Sequence, residues 1–283
     1  MIFLTSTATQ FKKIFKSHLG KYTLEKFNDG ELFLKLDTSI KQGDLATVIA
    51  ATNPPAHHFI ELFFLLNTLQ QAKKTTHLIF TYFGYARQDH PLPLVAQGAE
   101  IISNCFKQFS LDKILIIHCH SSALHNYLTF ENIIPFNLYK PLISEKKIDV
   151  IVAPDKGAIS ACEQLAKITS CTISSIEKQR IAKDQIKTGK LIGNVHKKNV
   201  LIFDDLISTG KTLIHAAELL KKNGALHIYA VATHSLLTQK NTEEILKSPI
   251  EELWVTNTIK QKITHPHFHV LDIGPELKKL VSC

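Results

Sequence analysis

The chain has 283 residues, of which 45% are apolar, and it carries a formal net charge of +8 at pH 7. This length suits two domains of ordinary size, and no apolar run is long enough to span a bilayer, so we expect no membrane partner. The lysines lie in scattered pairs rather than along one basic stripe, which argues against nucleic acid as a partner and favours small polyphosphate substrates.

The N-terminal segment and the cysteines both indicate a cytoplasmic protein. The apolar stretch from Met1 to Thr5 is too short for a signal peptide and has no basic start. The five cysteines are odd in number and form no C-x-x-C pair, which is typical of reduced thiols. We therefore expect a cytoplasmic location.

The first half of the chain alternates between predicted strands and a predicted helix. Apolar runs predict strands at 46–51 and 77–83, and the spacing between them predicts a helix at about 59–72. A polar turn follows the second strand and contains Arg87 and Gln88. These two side chains could bind phosphate oxygens, and the guanidinium group of Arg87 presents its N–H donors in a planar fork.

Two further predicted strands end in side chains that could bind metal. The strand at 114–117 is followed by His118 and His120, which would share one face if the strand continued. A metal site and an ordinary polar strand end both remain open there. The strand at 150–153 is followed by Asp155, which could hold Mg²⁺ through water and phosphate oxygens.

The segment 177–196 is polar and basic and shows no clear apolar period. A structureless loop of this length inside a compact domain is usually a lid or a disordered excursion. Such a lid could bring Lys178 and Arg180 into contact with the transferring phosphates. Phosphoryl transfer depends mostly on positioning and on electrostatic stabilisation of these groups. A solvated basic hairpin is the alternative.

The most informative segment is a predicted strand at 200–203 that ends in Asp204 and Asp205. A tight turn then opens a predicted helix, and the turn comprises Ser208, Thr209, Gly210, Lys211 and Thr212. Backbone N–H groups and the positive end of the helix dipole at such a turn suit a phosphate. The two carboxylates could accept hydrogen bonds from the vicinal hydroxyls of a sugar. The segment therefore predicts a ribose 5-phosphate site.

Two simpler interpretations of this segment compete with the sugar-phosphate site. A Walker A loop requires glycine at the position of Asp205, so that interpretation fails. An ordinary strand–turn–helix connection with a threonine cap explains Thr209 and Gly210. It does not explain two carboxylates at the carboxyl end of a buried strand, where charges are costly without partners and where α/β sheets bind ligands.

The two halves of the chain share one pattern of strand, turn, helix, lysine pair and strand, at 46–83 and at 200–234. Strands alternating with helices of this length predict parallel sheets with right-handed crossovers. We expect an α/β fold with two domains of one topology, residues 1–142 and 143–283. Only the second would hold the sugar phosphate, since the first lacks the carboxylate pair.

Taken in order, several segments resemble the ribose-phosphate diphosphokinase (PRPP synthetase) family. Residues Phe27 to Glu31 look like its F-x-D-G-E, and residues 82–89 look like its Y-F-G-Y-A-R-Q-D. Lys178 to Arg180 look like its catalytic K-x-R. The remaining similar segments are 204–212, which looks like its ribose-phosphate loop, 232–234 and 256–259. The resemblance covers nearly the whole chain.

The resemblance implies two tandem phosphoribosyltransferase-type domains with parallel sheets and with the active site between them. The first domain would be the ATP side and the second the ribose 5-phosphate side. The implied reaction transfers pyrophosphate from MgATP to the 1-hydroxyl of ribose 5-phosphate, which gives PRPP and AMP. A homo-oligomer with an active site shared between subunits is also implied.

The resemblance further implies a role for each matched residue. The residues implied for ATP are Phe27, Asp29 and Glu31, which would hold adenine from a neighbouring subunit, together with Arg87 and Gln88. Those implied for Mg²⁺ are His120 and Asp155, and those implied for the transition state are Lys178 and Arg180. The residues implied for ribose 5-phosphate are Asp204, Asp205, Ser208, Thr209, Gly210, Lys211 and Thr212.

Three departures from the family pattern keep two alternatives open. His118 stands where the family has Asp, the turn at 158–161 lacks an Arg, and the loop after Asp89 is short. One alternative is a catalytically weak or inactive regulatory subunit. The other is a phosphoribosyltransferase that consumes PRPP, which ATP dependence of the activity would distinguish.

Overall fold

The structure is a computed structural model that describes residues 1–37, 44–182 and 185–281, with only the backbone at 178–182 and 185–188. Contacts divide the chain into two compact units. The first comprises Met1–Ile133, Thr258–Lys260 and Ile273–Cys283, and the second comprises Ile134–Asn257 and Gln261–Asp272.

Strands and helices alternate along most of the chain. The strands are β1 (Ile2–Leu4), β2 (Tyr22–Lys26), β3 (Leu32–Leu36), β4 (Leu45–Ala51), β5 (Thr75–Tyr82), β6 (Lys113–Ile117), β7 (Glu131–Ile133), β8 (Val150–Ala153), β9 (Thr172–Ala182), β10 (Gln185–Ile192), β11 (Asn199–Ile207), β12 (His227–Ser235), β13 (Glu252–Thr256) and β14 (Phe268–Leu271). The α-helices are α1 (His57–Gln71), α2 (Gly98–Phe106), α3 (Phe136–Glu145), α4 (Ile159–Thr169), α5 (Lys211–Lys222), α6 (Gln239–Leu246) and α7 (Gly274–Val281).

The first unit is built on a parallel sheet with the strand order β1-β4-β5-β6-β7. Strands β4 and β5 lie inside this sheet and are buried along nearly their whole length, which is why both are continuous apolar runs. Helix α1 contributes Leu62, Leu65 and Leu69 to the same core, at helical spacing. Strands β2 and β3 form a separate antiparallel hairpin.

The second unit is built on a sheet with the order β10-β9-β8-β11-β12-β13-β14, and among its described strands only β9 and β10 are antiparallel neighbours. Strand β11 is central. Val200 and Ile202 belong to the core that contains Leu213 and Leu220 of α5, whereas Phe203 belongs to the core that contains residues of α3 and α4. This alternation is the period-2 pattern of a strand buried on both faces.

The predicted α/β architecture with parallel sheets is confirmed in both units. Strands β4, β5, β6, β8, β11 and β12 and helices α1 and α5 lie where the apolar patterns predicted them. Gly224 follows α5 with φ +82, a conformation that glycine adopts without strain and that ends the helix. No helix in the described ranges is both long and apolar enough to cross a membrane.

Two expectations about local structure are wrong. The segment 177–196 is not a structureless loop, because most of it lies in the antiparallel pair β9–β10, as the hairpin alternative predicted. Antiparallel pairing satisfies backbone groups without burying a side-chain face, so it needs no apolar period. Strand β11 also continues past Phe203 to Ile207, because its pairing with β12 continues to Leu206 and Ile207.

The contacts divide the chain earlier than the domain boundary predicted at 142/143. That position falls within α3, whose Tyr139, Leu142 and Ile143 are buried in the second unit's core. The C-terminal helix α7 belongs with the first unit, although it comes last in the chain.

Candidate functional site

The carboxylate pair lies at the carboxyl end of β11, in the middle of the second unit's sheet. Asp204 is opposite Ala232 of β12, and Leu206 is opposite His234. Open α/β sheets bind ligands at the carboxyl ends of their strands. The structure therefore places Asp204 and Asp205 at the predicted edge, within the strand rather than beyond it.

Asp204 lies in an acidic environment that water solvates poorly. Burial raises the pKa of its carboxyl group well above the usual range, and Asp205 and Asp155 raise that pKa further. The backbone N–H of Asp205 donates a hydrogen bond of 2.9 Å to Oδ1 of Asp204, which opposes the shift in part. Hydroxyl donors and cations are attracted to such a group because both stabilise its charged form.

Asp155 completes an acidic cluster (Asp155, Asp204 and Asp205). It follows β8, which is the neighbour of β11 in the sheet. Its Oδ1 accepts a hydrogen bond of 3.0 Å from the backbone N–H of Gly157 and caps the single 3-10 turn Lys156–Ala158. The cluster therefore draws on two adjacent strands at one edge of the sheet.

The N-terminus of α5 lies within the segment predicted to bind phosphate, since Lys211 and Thr212 are the first two residues of the helix rather than part of the turn. Gly210 is the cap residue of this helix, with φ +83, and no described side chain caps it. The N–H groups of the first helical turn have no intrahelical partners, and the helix dipole is positive there, so this end can receive an anion. The threonine-capped connection is not what the structure shows, because Thr209 forms no cap.

Helix α6 packs against the turn that precedes α5. A Cβ atom at Gly210 would overlap the side chain of Ile245, so any larger residue at this position requires Ile245 to move. A capping box between Thr238 and Asn241 holds the start of α6. Sequence reasoning missed Ile245, because no local pattern links it to the turn.

Phe27, Asp29 and Glu31 lie in and beside the turn of the β2–β3 hairpin, and all three are exposed. The backbone N–H of Glu31 donates to Oδ1 of Asp29 over 3.0 Å. Gly30 has φ +101, which is a conformation that favours glycine. The three residues predicted to hold adenine are thus presented by one short hairpin.

Arg87 and Gln88 lie in the turn after β5, at the carboxyl end of the first unit's sheet. Both side chains are exposed, whereas Asp89 is buried. The backbone of Gln88 donates to the carbonyl of Tyr85 over 2.9 Å and accepts from the N–H of Ala99 over 3.2 Å. This fixed turn presents the guanidinium of Arg87 towards solvent, as phosphate binding requires.

The face-sharing assumed for His118 and His120 does not hold. Strand β6 ends at Ile117, and His118 adopts a left-handed conformation with φ +41. His118 is buried, whereas His120 is exposed. Within the described ranges, no three His, Cys, Asp or Glu side chains are arranged to hold a metal ion.

Lys178 and Arg180 lie on β9, and Arg180 is opposite Ile186 of β10. The side chains of both residues lie outside the described part of the chain. Their role at the transition state stays a prediction.

Two family models match the chain. The N-terminal domain of ribose phosphate pyrophosphokinase matches residues 4–109, and the phosphoribosyl synthetase-associated domain matches residues 149–275. A ribose-phosphate pyrophosphokinase of Corynebacterium ammoniagenes is 30% identical, over 95% of this chain and 87% of its own length. The enzyme of the same name from Helicobacter hepaticus is 27% identical, over 98% of this chain and 92% of its own.

One solved structure resembles the whole chain. A phosphoribosylpyrophosphate synthetase of Mycobacterium smegmatis superposes with a TM-score of 0.89 over 100% of this chain and 97% of its own, at 24% identity. This likeness confirms the tandem α/β fold that the sequence resemblance implied.

Proposed function

The chain belongs to the ribose-phosphate pyrophosphokinase family, and on that basis we propose that it transfers pyrophosphate from MgATP to the 1-hydroxyl of ribose 5-phosphate, which gives PRPP and AMP. The observation that supports this best is the joining of β11 to α5. Its carboxylate pair and its helix N-terminus provide the two kinds of contact that a sugar phosphate needs, a few residues apart.

Asp204 and Asp205 are the acceptors for the vicinal hydroxyls of the ribose. The backbone N–H groups and side chains from Ser208 to Thr212 receive its 5-phosphate. Fixing both ends of the sugar holds its 1-hydroxyl in one orientation, and such positioning is a large part of phosphoryl-transfer catalysis.

The transfer forms one bond and breaks one. The oxygen of the 1-hydroxyl bonds to the β-phosphorus of ATP, its proton is released, and the bond from that phosphorus to the α-phosphate oxygen breaks. AMP leaves with that oxygen. Lys178 and Arg180 would stabilise the negative charge on the transferring group, because fixed cations act most strongly where charge develops.

Mg²⁺ held with the phosphates would supply charge neutralisation for the transfer. It usually keeps several waters and binds one or two carboxylates plus substrate phosphates, so a cage of three protein ligands is not required. The acidic cluster fits this role, since the pKa of Asp204 is raised partly by the neighbouring negative charges that a cation would offset. Asp155 and His120 are the residues that would hold the ion or its waters.

The nucleotide contacts come from the first unit. Phe27, Asp29 and Glu31 would bind the adenine, and Arg87 and Gln88 would bind the phosphates. We also propose a cytoplasmic homo-oligomer, in which the β2–β3 hairpin of one subunit serves the active site of another.

Phosphorus NMR on the purified protein incubated with ATP, ribose 5-phosphate and Mg²⁺ tests the reaction. We expect AMP and PRPP to appear together in equal amounts. The Asp204→Asn/Asp205→Asn variant should form little of either, whereas Glu218→Gln, an exposed change on α5, should behave as wild type. Intact ATP in a folded and assembled sample would instead favour a regulatory subunit.

A further inference from the structure

The two faces of the β2–β3 hairpin differ in character. Tyr22, Leu34 and Leu36 pack against the first unit's core. The opposite face is exposed at each alternate position of β3, at Phe33 and Lys35. The hairpin pairs with no other described strand, so its outward face is a surface of its own.

Two aromatic rings lie together on this outward face. Phe33 is opposite Glu25, and Phe27 follows Glu25 by two residues, so the two phenylalanines share a face. Their ring centroids are 6.0 Å apart, and the planes are inclined by 48°. Phe27 is 51% exposed and Phe33 is 43% exposed. The other residues of this face, Thr23, Glu25 and Lys35, are polar.

We propose that Phe33 is a positioning residue for the nucleotide base, which it serves by fixing the ring of Phe27. This rests on the proposed function, in which Phe27 contacts the adenine. An exposed ring has several rotamers, and a neighbouring ring at this distance and angle restricts them. The aromatic pair (Phe27 and Phe33) is thereby ready for stacking before the nucleotide arrives, which lowers the entropic cost of binding.

The aromatic pair also favours a purine over a pyrimidine. A purine has the larger π surface, and stacking strength follows the overlapping area. A flexible Phe27 without its neighbour would discriminate less between the two. Phe33 therefore contributes to the choice of ATP over a pyrimidine nucleoside triphosphate.

The test is a comparison of Phe33→Ala with Phe33→Tyr and with a control, Phe64→Ala. Phe64 is 39% exposed on α1, so its removal deletes an equally exposed ring outside the hairpin. For Phe33→Ala we expect the KM for ATP and the calorimetric Kd for ATP to rise about threefold to tenfold. The KM for ribose 5-phosphate and kcat should not change. Phe33→Tyr, which keeps the ring, should resemble wild type.

The ratio of kcat/KM for ATP to that for CTP should also fall in Phe33→Ala, by less than the rise in the KM for ATP, because a pyrimidine base loses a smaller part of the same stacking. An unchanged affinity for ATP, or an equal rise in the KM for ribose 5-phosphate, would overturn the proposal, as would the same shift in Phe64→Ala. The calorimetric measurement keeps the two questions separate. A wild-type protein that binds ATP but forms no PRPP would contradict the proposed reaction while still testing Phe33 through the Kd.

Discussion

The phenolic hydroxyl of Tyr22 on β2 donates a hydrogen bond of 2.6 Å to Oε1 of Glu61, a carboxylate on α1 that is 1% exposed. The same oxygen accepts the backbone N–H of Ser6 over 2.7 Å. Burial and the neighbouring carboxylate of Glu61 raise the pKa of Tyr22 above its usual range, so the hydroxyl stays protonated and remains a donor at neutral pH. This contact ties the β2–β3 hairpin to the first unit's core.

Tyr22→Phe should therefore destabilise the protein. The change removes a donor from a buried carboxylate, which costs about 1–3 kcal/mol. Urea unfolding at neutral pH measures the loss, with Tyr85→Phe as the control, since Tyr85 is 39% exposed. Equal stabilities of the two variants would show that the hydrogen bond to Glu61 contributes nothing.

A second prediction concerns the packing of Gly210 against Ile245. Gly210→Ala should lower the free energy of unfolding by about 1 kcal/mol because of the positive φ and by about 1–3 kcal/mol more because of overpacking. It should also raise the KM for ribose 5-phosphate. Gly30→Ala isolates the first cost, because Gly30 has φ +101 but its Cβ would have open space apart from Lys26 Cε at 3.6 Å. Combining Gly210→Ala with Ile245→Val should relieve part of the overpacking, which a double-mutant cycle detects. Strict additivity would contradict the steric account.

These two contacts show what the sequence could not predict. Strand β11, its carboxylates and the start of α5 are contiguous, so apolar period and turn chemistry located them correctly. Tyr22 and Glu61 are 39 residues apart and meet only because the hairpin folds onto α1. Ile245 likewise reaches Gly210 only through the packing of α6 in the folded unit.

Strand β9 was not predicted from the sequence, for a different reason. Pattern analysis detects strands by an apolar period, and the sequence from Glu177 onward is polar and basic and has no clear period of this kind. The signal that identifies β9 and β10 is mutual backbone pairing, which periodicity does not report. His118 is a second case that periodicity does not report. Its left-handed conformation ends β6, so His118 and His120 do not share a strand face.

The raised pKa of Asp204 makes stability depend on pH. Between the pKa of about 3.9 for an unfolded Asp and the raised value in the folded state, the folded protein binds more protons, so stability falls as pH rises. Asp204→Asn removes this titration and keeps an oxygen for the N–H of Asp205. Without metal or substrate, the variant should therefore be more stable than wild type at about pH 8 and should unfold at a higher temperature.

The same difference should shrink towards about pH 4, where the carboxyl group is largely protonated in the folded state and increasingly so in the unfolded chain. Thermal unfolding across this range measures it. Glu218→Gln on α5 controls for the loss of one negative charge. A stabilisation that did not change with pH would show that the effect arises from something other than the ionisation of Asp204.

Lys178→Ala should lower kcat while leaving the KM for ribose 5-phosphate unchanged, because its contact would matter mainly in the transition state. A loss of about 10²–10³-fold is typical when one preorganised electrostatic contact is removed. Lys190→Ala is the matched control, since Lys190 is an exposed lysine on β10 of the same hairpin. Equal turnover in the two variants would remove Lys178 from the mechanism.

An active site shared between subunits predicts complementation between two inactive variants. Phe27→Ala/Asp29→Asn/Glu31→Gln lacks the nucleotide contacts of the β2–β3 hairpin, and Lys178→Ala lacks the proposed transition-state lysine. If the hairpin of one subunit serves the lysine of another, random exchange of equal amounts should give both native groups at about one quarter of the sites. Activity measured before and after reversible dissociation of the mixture detects this gain. Each variant treated alone is the control, and a mixture that stays as inactive as its components would place the hairpin and Lys178 of one site in the same subunit.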